Sequence, residues 1–186
     1  MLISKFANEN IKDQVLEFER EHHIILHDQY KEFLSVYNGG YTPETKFKIG
    51  KVSSDIRGFY GIGDVKLSFN SIELEQWTEK GYLPIASDSF GNYIVIGLNN
   101  DRSGKIYFCD HEKGNRATCV ADSLKEFLPH CRSEEISDEA RLSIEEREAA
   151  LIARGRGNVI TNLLRQMWQE EIDLYADMIQ EEVILE

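Results

Sequence analysis

The stretch Tyr93-Ile94-Val95-Ile96-Gly97-Leu98 constrains the fold more than any other. Side chains alternate across a strand, so a run that is apolar at both parities needs cover on both faces. It therefore reads as an interior strand with layers on either side. A polar loop, residues 99–104, returns the chain to a second strand at residues 105–109. Links this short join antiparallel neighbours, because a parallel crossover takes about a dozen residues or more. Leu83-Pro84-Ile85-Ala86 is a further short strand, and its proline puts it at an edge or a strand start. Gly91-Asn92 forms the intervening turn, and residues 117–121 read as one more strand. Residues 47–50 and the glycine-punctuated segment 56–62 are strand candidates upstream.

Helical spacing dominates elsewhere. Ile11, Val15 and Phe18 recur at helical intervals and predict a first helix over about residues 6–23. Leu26, Tyr30, Phe33, Leu34 and Tyr37 share the face of a second, which runs into Asn38-Gly39-Gly40. Gly39 suits the left-handed conformation that ends a helix. Asp64 is placed to cap a helix over about residues 65–77, and Asp122 one with Leu124, Phe127 and Leu128 on its apolar face. The character changes after Cys131. Ser137 is placed to cap a helix reaching about residue 154, Arg154-Gly155-Arg156-Gly157 interrupts it, and Asn158 is placed to cap a last helix. That helix carries Ile160, Leu163, Leu164, Met167, Trp168, Ile172, Tyr175, Met178 and Ile179 over about 25 residues, or roughly 37 Å. So wide a stripe has to pack on the domain, on a copy of itself, or on a partner. The expected organisation is a domain over residues 1–132 and an acidic helical extension, read as a hairpin, over residues 133–186.

Charge is unevenly distributed. The formal charge is −12; residues 134–186 hold 14 acidic and 5 basic residues and no lysine, while residues 1–133 hold 19 acidic and 16 basic. Such a balance argues against direct nucleic-acid binding, which needs clustered Lys and Arg, and suits a basic protein partner. Acidic surface also serves plain solubility. Hydrophobic content of 41% and charged content of 29% are those of an ordinary globular protein. No run of 18 apolar residues suggests a membrane span, and the N-terminal residues do not read as a signal peptide. Cys109, Cys119 and Cys131 have no tight pair spacing, which fits reduced thiols in the cytoplasm.

Three ordered blocks resemble the SUKH superfamily, the family of the yeast cell-wall and glucan-synthesis regulator and of many bacterial immunity proteins. The first is residues 26–40, an aromatic helix ending in Asn38-Gly39-Gly40. The second is Leu83-Pro84-Ile85-Ala86, then Asp88, then Gly91-Asn92 and the apolar strand. The third is Val120-Ala121-Asp122-Ser123-Leu124-Lys125-Glu126-Phe127-Leu128. His27 stands where the family usually has proline, and Leu124 where it usually has phenylalanine; both read as conservative changes in packing or capping. The resemblance covers residues 1 to about 131. It implies an α+β domain, a mostly antiparallel central sheet flanked by helices, and a binding role rather than catalysis. Matching residues are structural, so no catalytic or cofactor-binding residue is carried over.

Other motifs are weaker. Cys109, His111, Cys119, His130 and Cys131 lack the close cysteine pair typical of zinc sites, and core thiols with a loop histidine are the plainer reading. A Cys-His nucleophile would need a base and an oxyanion site that nothing shows. Gly61-Ile62-Gly63-Asp64 lacks the rest of a phosphate loop. His22, His23 and His27 read as a solvated helix end, and Arg154-Gly155-Arg156-Gly157 as a hairpin loop. No metal or cofactor is expected. The leading expectation is a cytoplasmic immunity-type protein that binds and blocks a basic toxin domain, such as a nuclease. Glu170, Glu171, Asp173 and Asp177 lie off the apolar stripe and are the candidate partner contacts. The alternative is a regulatory or scaffolding module that forms a homodimer through its C-terminal helices.

Overall fold

The structure is a computed structural model that describes residues 1–7 and 10–185. Its elements are β1 (Leu2–Lys5), α1 (Ile11–Glu21), α2 (Asp28–Tyr37), β2 (Gly40–Ile49), β3 (Val52–Phe59), α3 (Glu75–Thr78), β4 (Tyr82–Ser87), β5 (Tyr93–Gly97), β6 (Ile106–Asp110), β7 (Arg116–Ala121), α4 (Leu124–Phe127), β8 (Cys131–Ser133), α5 (Ile144–Ala153), α6 (Asn162–Tyr175) and β9 (Glu181–Glu182). Two compact units result: Met1–Glu134 with the segment from Gln180 onward, and Glu135–Ile179.

The first unit is α+β. Its sheet, antiparallel throughout the described residues, runs β7-β6-β5-β4-β3-β2-β1-β9, with β8 paired to β2. Strand β5 is interior, as its two-sided hydrophobicity requires. Ile94 and Ile96 join the main core with Tyr30, Phe33 and Leu34 of α2 and Phe127 of α4. Val95 faces the other way, with Tyr107 and Cys109 of β6 under Trp77 and Tyr82. Pro84 lies within β4, which is interior in strand order. It is nevertheless tolerated, because β3 reaches only Ala86 and Ser87 and the ladder to β5 is irregular between Pro84 and Ala86. The chain's last strand was not foreseen. Beside β9, Val183 and Leu185 are buried, and the Tyr37 hydroxyl accepts the Ile184 amide at 2.9 Å.

Two polar knots fix the loops of this unit. Asn38, fully buried, is itself the left-handed residue that ends α2 (φ 49°, ψ 44°). Its carboxamide donates to the Ile62 carbonyl at 3.0 Å and accepts from the Ile62 amide at 2.8 Å. Asp88 collects Ser54 Oγ at 2.6 Å, the Phe90 and Asn92 amides at 2.9 and 2.7 Å, and Asn92 Nδ2 at 2.7 Å. Burial alone would raise this carboxyl, but the donors outweigh it and hold it below the usual carboxylate range.

Several helix expectations are corrected. Residues 6 and 7 are not helical; α1 starts at Ile11, and residues 8 and 9 of the expected helix lie outside the described residues. The helix expected over 65–77 is absent. Instead the Gly61 amide bonds to the Leu67 carbonyl, the Phe69 amide bonds back to Gly61, and Ser68 caps a 3-10 turn over Phe69–Ser71. Serine and asparagine side chains compete for the backbone here, which disfavours a continuous helix. Only α3 remains. Ser123, not Asp122, caps α4, through a bond from the Glu126 amide. His27 caps α2, its Nδ1 accepting from the Gln29 amide.

In the second unit, Ser137 caps only a 3-10 turn over Asp138–Arg141. Helix α5 starts six residues later at a reciprocal Ser143–Glu146 capping box. Helix α6 is capped by Thr161 rather than Asn158 and ends at Tyr175, so it is about 21 Å long instead of 37 Å. Arg147 of α5 holds the hairpin together. Its guanidinium is nearly buried and donates to the Leu142 and Ala140 carbonyls at 3.1 and 2.6 Å and to Glu171 Oε2 of α6 at 2.6 Å. It also lies over the Trp168 ring, 5.9 Å from its centroid.

Three outcomes follow from these contacts. Asn38→Ala leaves both Ile62 groups unpaired and replaces asparagine with a residue that tolerates the left-handed conformation less well; it should lower stability by about 3 kcal/mol, read as a reduced urea midpoint. Arg147→Met should destabilise the second unit by about 2 kcal/mol, speeding hydrogen exchange over residues 138–175 while that of the β5 amides is unchanged. Asp88, with its carboxyl held low when folded, contributes stability at neutral pH that is lost as pH falls below about 4. The urea midpoint of Asp88→Asn should therefore fall less steeply than wild type between pH 5 and pH 3.

Candidate partner-binding surface

Helix α6 carries most of the residues singled out from the sequence. Glu170 and Asp173 are exposed and lie close together on one face of the helix, three residues apart. Each accepts a hydrogen bond from a neutral neighbour, Gln166 to Glu170 at 2.9 Å and Gln169 to Asp173 at 2.7 Å, so their charges stay uncompensated. Glu171 points elsewhere. It is half-buried and tied to Arg147, which makes it a structural anchor of the hairpin. Asp177 lies exposed beyond the helix end rather than on it. The helix thus brings two of the four residues together and separates the other two.

The apolar stripe also divides. Leu164, Trp168, Ile172 and Tyr175 are half-buried, whereas Leu163 and Met167 are more than half exposed, as is Leu174, which was not counted in the stripe. Leu163, Met167, Glu170 and Leu174 follow at intervals of four, three and four residues, so they form one ridge along the exposed side. A groove of about 490 Å³ runs beside it, lined by Leu151, Val159, Leu163, Leu164, Met167 and Trp168, with Arg156 and Thr161 as its polar members. The contribution of Leu163, Met167 and Leu174 was hidden in the sequence. The helical spacing of Leu163 and Met167 was visible, but not that of Leu174, nor which part of a wide stripe would stay uncovered.

The unit's charge is set by what its arginines do. Residues 135–179 hold ten acidic and five basic residues. Arg141 caps the end of the hairpin through the Tyr175 and Met178 carbonyls, Arg147 binds Glu171, Arg154 lies 3.8 Å from Glu139, and Arg165 is paired with Glu148. Four of the five arginines are thus engaged within the unit, and the fifth, the exposed Arg156, lines the groove beside α6; on the helix itself Glu170 and Asp173 leave the exposed side net negative.

The chemistry-bearing residues of the first unit do not converge. Cys109 lies on one side of the sheet, Cys131 in the core on the other, and Cys119 is exposed. Burial pushes both the Cys109 and Cys131 thiols up to about 12, so neither supplies a thiolate at neutral pH. His111 is held by Asn92 Oδ1, which accepts from the His111 amide at 2.9 Å and lies 2.8 Å from Nδ1. Gly61-Ile62-Gly63-Asp64 belongs to the loop pinned by Asn38. Among the described residues, no group of three or more His, Cys, Asp or Glu is arranged to hold a metal ion, and no helix is long and apolar enough to cross a membrane.

Comparison with known proteins agrees with this architecture. A SPbeta prophage-derived uncharacterized protein of Bacillus subtilis (strain 168), YokK, is 26% identical over 151 residues, covering 67% of this chain and 76% of the relative. No solved structure matches. The profile of the SMI1 / KNR4 family (SUKH-1) matches residues 12–130, which span α1 through α4 and leave out the whole second unit. The chain belongs to the SMI1 / KNR4 (SUKH-1) family.

Proposed function

We propose that this chain is a cytoplasmic, non-catalytic binding protein of the immunity type, which neutralises a toxin domain by covering its active surface. The observation that carries this reading is the second unit. It lies outside the family match, has no lysine, and presents uncompensated Glu170 and Asp173 beside exposed apolar side chains. An enzyme that acts on nucleic acid needs a basic surface, so a nuclease is the toxin class that best fits such a face. Negative charge on the binder speeds encounter with a basic target, and apolar contacts then slow its release. Glu170 and Asp173 would make direct contacts. Asp177 adds to the field at the end of the hairpin, and Glu171 acts by holding the helices in register. The relative's prophage origin suits a gene carried alongside the toxin that it answers.

A regulatory or scaffolding module that self-associates through α6 is the second reading, and the exposed Leu163, Met167 and Leu174 favour it. Like charge opposes it. A ridge packed on its own copy sets carboxylates against a surface with no lysine.

Neutralisation is tested in a bacterial host. The prediction is that the gene directly upstream encodes a large protein whose small C-terminal domain arrests growth when expressed alone. Co-expression of this chain should restore growth. Rescue should weaken by at least tenfold in toxin dose for Glu170→Lys with Asp173→Lys, which reverses the charge of the face. A host that stays arrested with the wild-type chain present would remove the immunity reading.

A further inference from the structure

The second unit exposes far more apolar surface than its size warrants. Of the eleven large hydrophobic side chains exposed among the described residues, six lie within its 45 residues: Ile152, Val159, Leu163, Met167, Leu174 and Ile179. Scattered exposed apolar groups need no explanation, but a concentrated set marks a contact surface. Leu163, Met167 and Leu174 are on the ridge of α6, and Val159 lines the groove beside it.

The geometry of this face points to its occupant, and we infer that it is a basic amphipathic α-helix of the partner. The inference rests on the reading of the chain as a protein-binding module and adds the chemistry of what is bound. The ridge spans Leu163 to Leu174, about 17 Å, which matches three turns of a packed helix. Intervals of four and three residues are those by which helices interdigitate, so an α-helix can seat its own apolar stripe in the adjoining groove. Charge then selects among helices. Glu170 sits within the ridge, with Met167 and Leu174 on either side, and Asp173 flanks it; neither has a cationic partner. A helix with Lys or Arg beside its apolar stripe would satisfy both carboxylates. An acidic helix, or α6 of a second copy, would bring like charges together in a partly desolvated contact.

The full chain can be titrated into a fluorescein-labelled 14-residue peptide of leucine and lysine at amphipathic helical spacing, with fluorescence anisotropy as the readout. Its counterpart, with glutamate in place of lysine, should bind at least tenfold more weakly. Met167→Gln with Glu170→Gln should weaken the leucine–lysine peptide at least tenfold. So should Leu163→Gln with Leu174→Gln. These side chains are exposed, and an unchanged circular dichroism spectrum checks that each variant is folded. Phe90→Gln, which alters an equally exposed apolar group in the other unit, should bind as wild type does. Equal binding of the two peptides, or wild-type affinity in both double variants, would overturn the inference. So would sedimentation velocity showing a dimer that Met167→Gln dissolves, since a second copy would then cover the ridge. Growth rescue separates this inference from the functional reading. If the wild-type chain and both double variants protect equally, the ridge is not the partner site although the chain neutralises. If the peptide binds at the ridge but the wild-type chain does not protect, only the neutralisation reading falls.

Discussion

At Asn38-Gly39-Gly40 three strands and a helix meet, and the two glycine positions have no room for a side chain. A β-carbon on Gly39 would sit 2.5 Å from the Phe59 carbonyl oxygen and 2.6 Å from that of Tyr60; one on Gly40 would collide with the Ser4 carbonyl. Both glycines have positive φ, at 72° and 149°. The end of α2, the start of β2, the end of β3 and the end of β1 are therefore packed backbone to backbone. Asn38 completes the junction by bonding both polar groups of Ile62. Strand β2 is paired to β1, β3 and β8, so any shift at this junction would be passed to three ladders. A one-residue slip in a ladder turns its core residues to the opposite face. The pairing of Gly40 and Tyr41 with β1 and with the end of β3 depends on the missing atoms of two glycines, and an irregularity between Tyr41 and Thr45 separates it from the stretch that buries Phe47 and Ile56.

The Asp88 knot has the same role at the opposite end of the strands. It links Ser54 of β3 to the β4–β5 turn, and Asn92 passes the connection on to His111 beyond β6. Buried polar groups are costly when unpaired and stiffening when satisfied. Together the two knots let a two-sided sheet have short loops without relying on apolar packing alone to place them. They also explain why the family blocks are where they are. Asn38, Gly39, Gly40, Asp88 and Asn92 are structural residues, and a shared structural motif does not identify a partner.

What could be read from the sequence follows the strength of the local signals. Strand β5 was legible because apolar residues at both parities admit few placements. The aromatic face of α2 and its stop were legible as well, although the left-handed turn begins one residue early, at Asn38, and continues through Gly39. Residues 65–77 misled because Asp64 is a good cap in isolation, while Ser68, Asn70 and Ser71 favour turns and the bulky Phe69 is drawn into the core. In the tail, two serines competed as caps. Only Ser143 has glutamate three residues on, and that pairing decides the start of α5. Strand β9 left almost no trace, since a two-residue strand is defined by the edge it meets. Of the acidic candidates, the exposure of Glu170 and Asp173 was legible from charge and helical position, but the tertiary contact that commits Glu171 to Arg147 has no signature in the sequence.

The second unit is built to a different balance from the first. No side chain of α6 is fully buried, and its 14 residues approach the length at which an isolated helix is marginal in water. Caps, ion pairs and the Arg147 clamp hold it, and these are weaker and more local than an apolar core. A partner helix on the Leu163–Leu174 ridge would supply the burial the hairpin lacks. Binding would then stabilise the hairpin by linkage, as any ligand does that prefers the folded state. The same linkage would make Arg147 a determinant of affinity although it faces inward. Loosening the clamp raises the share of frayed hairpins, and the apparent dissociation constant rises in proportion as the competent fraction falls. The sheet domain holds its shape through buried contacts, whereas the appended hairpin keeps apolar surface exposed that a partner would cover.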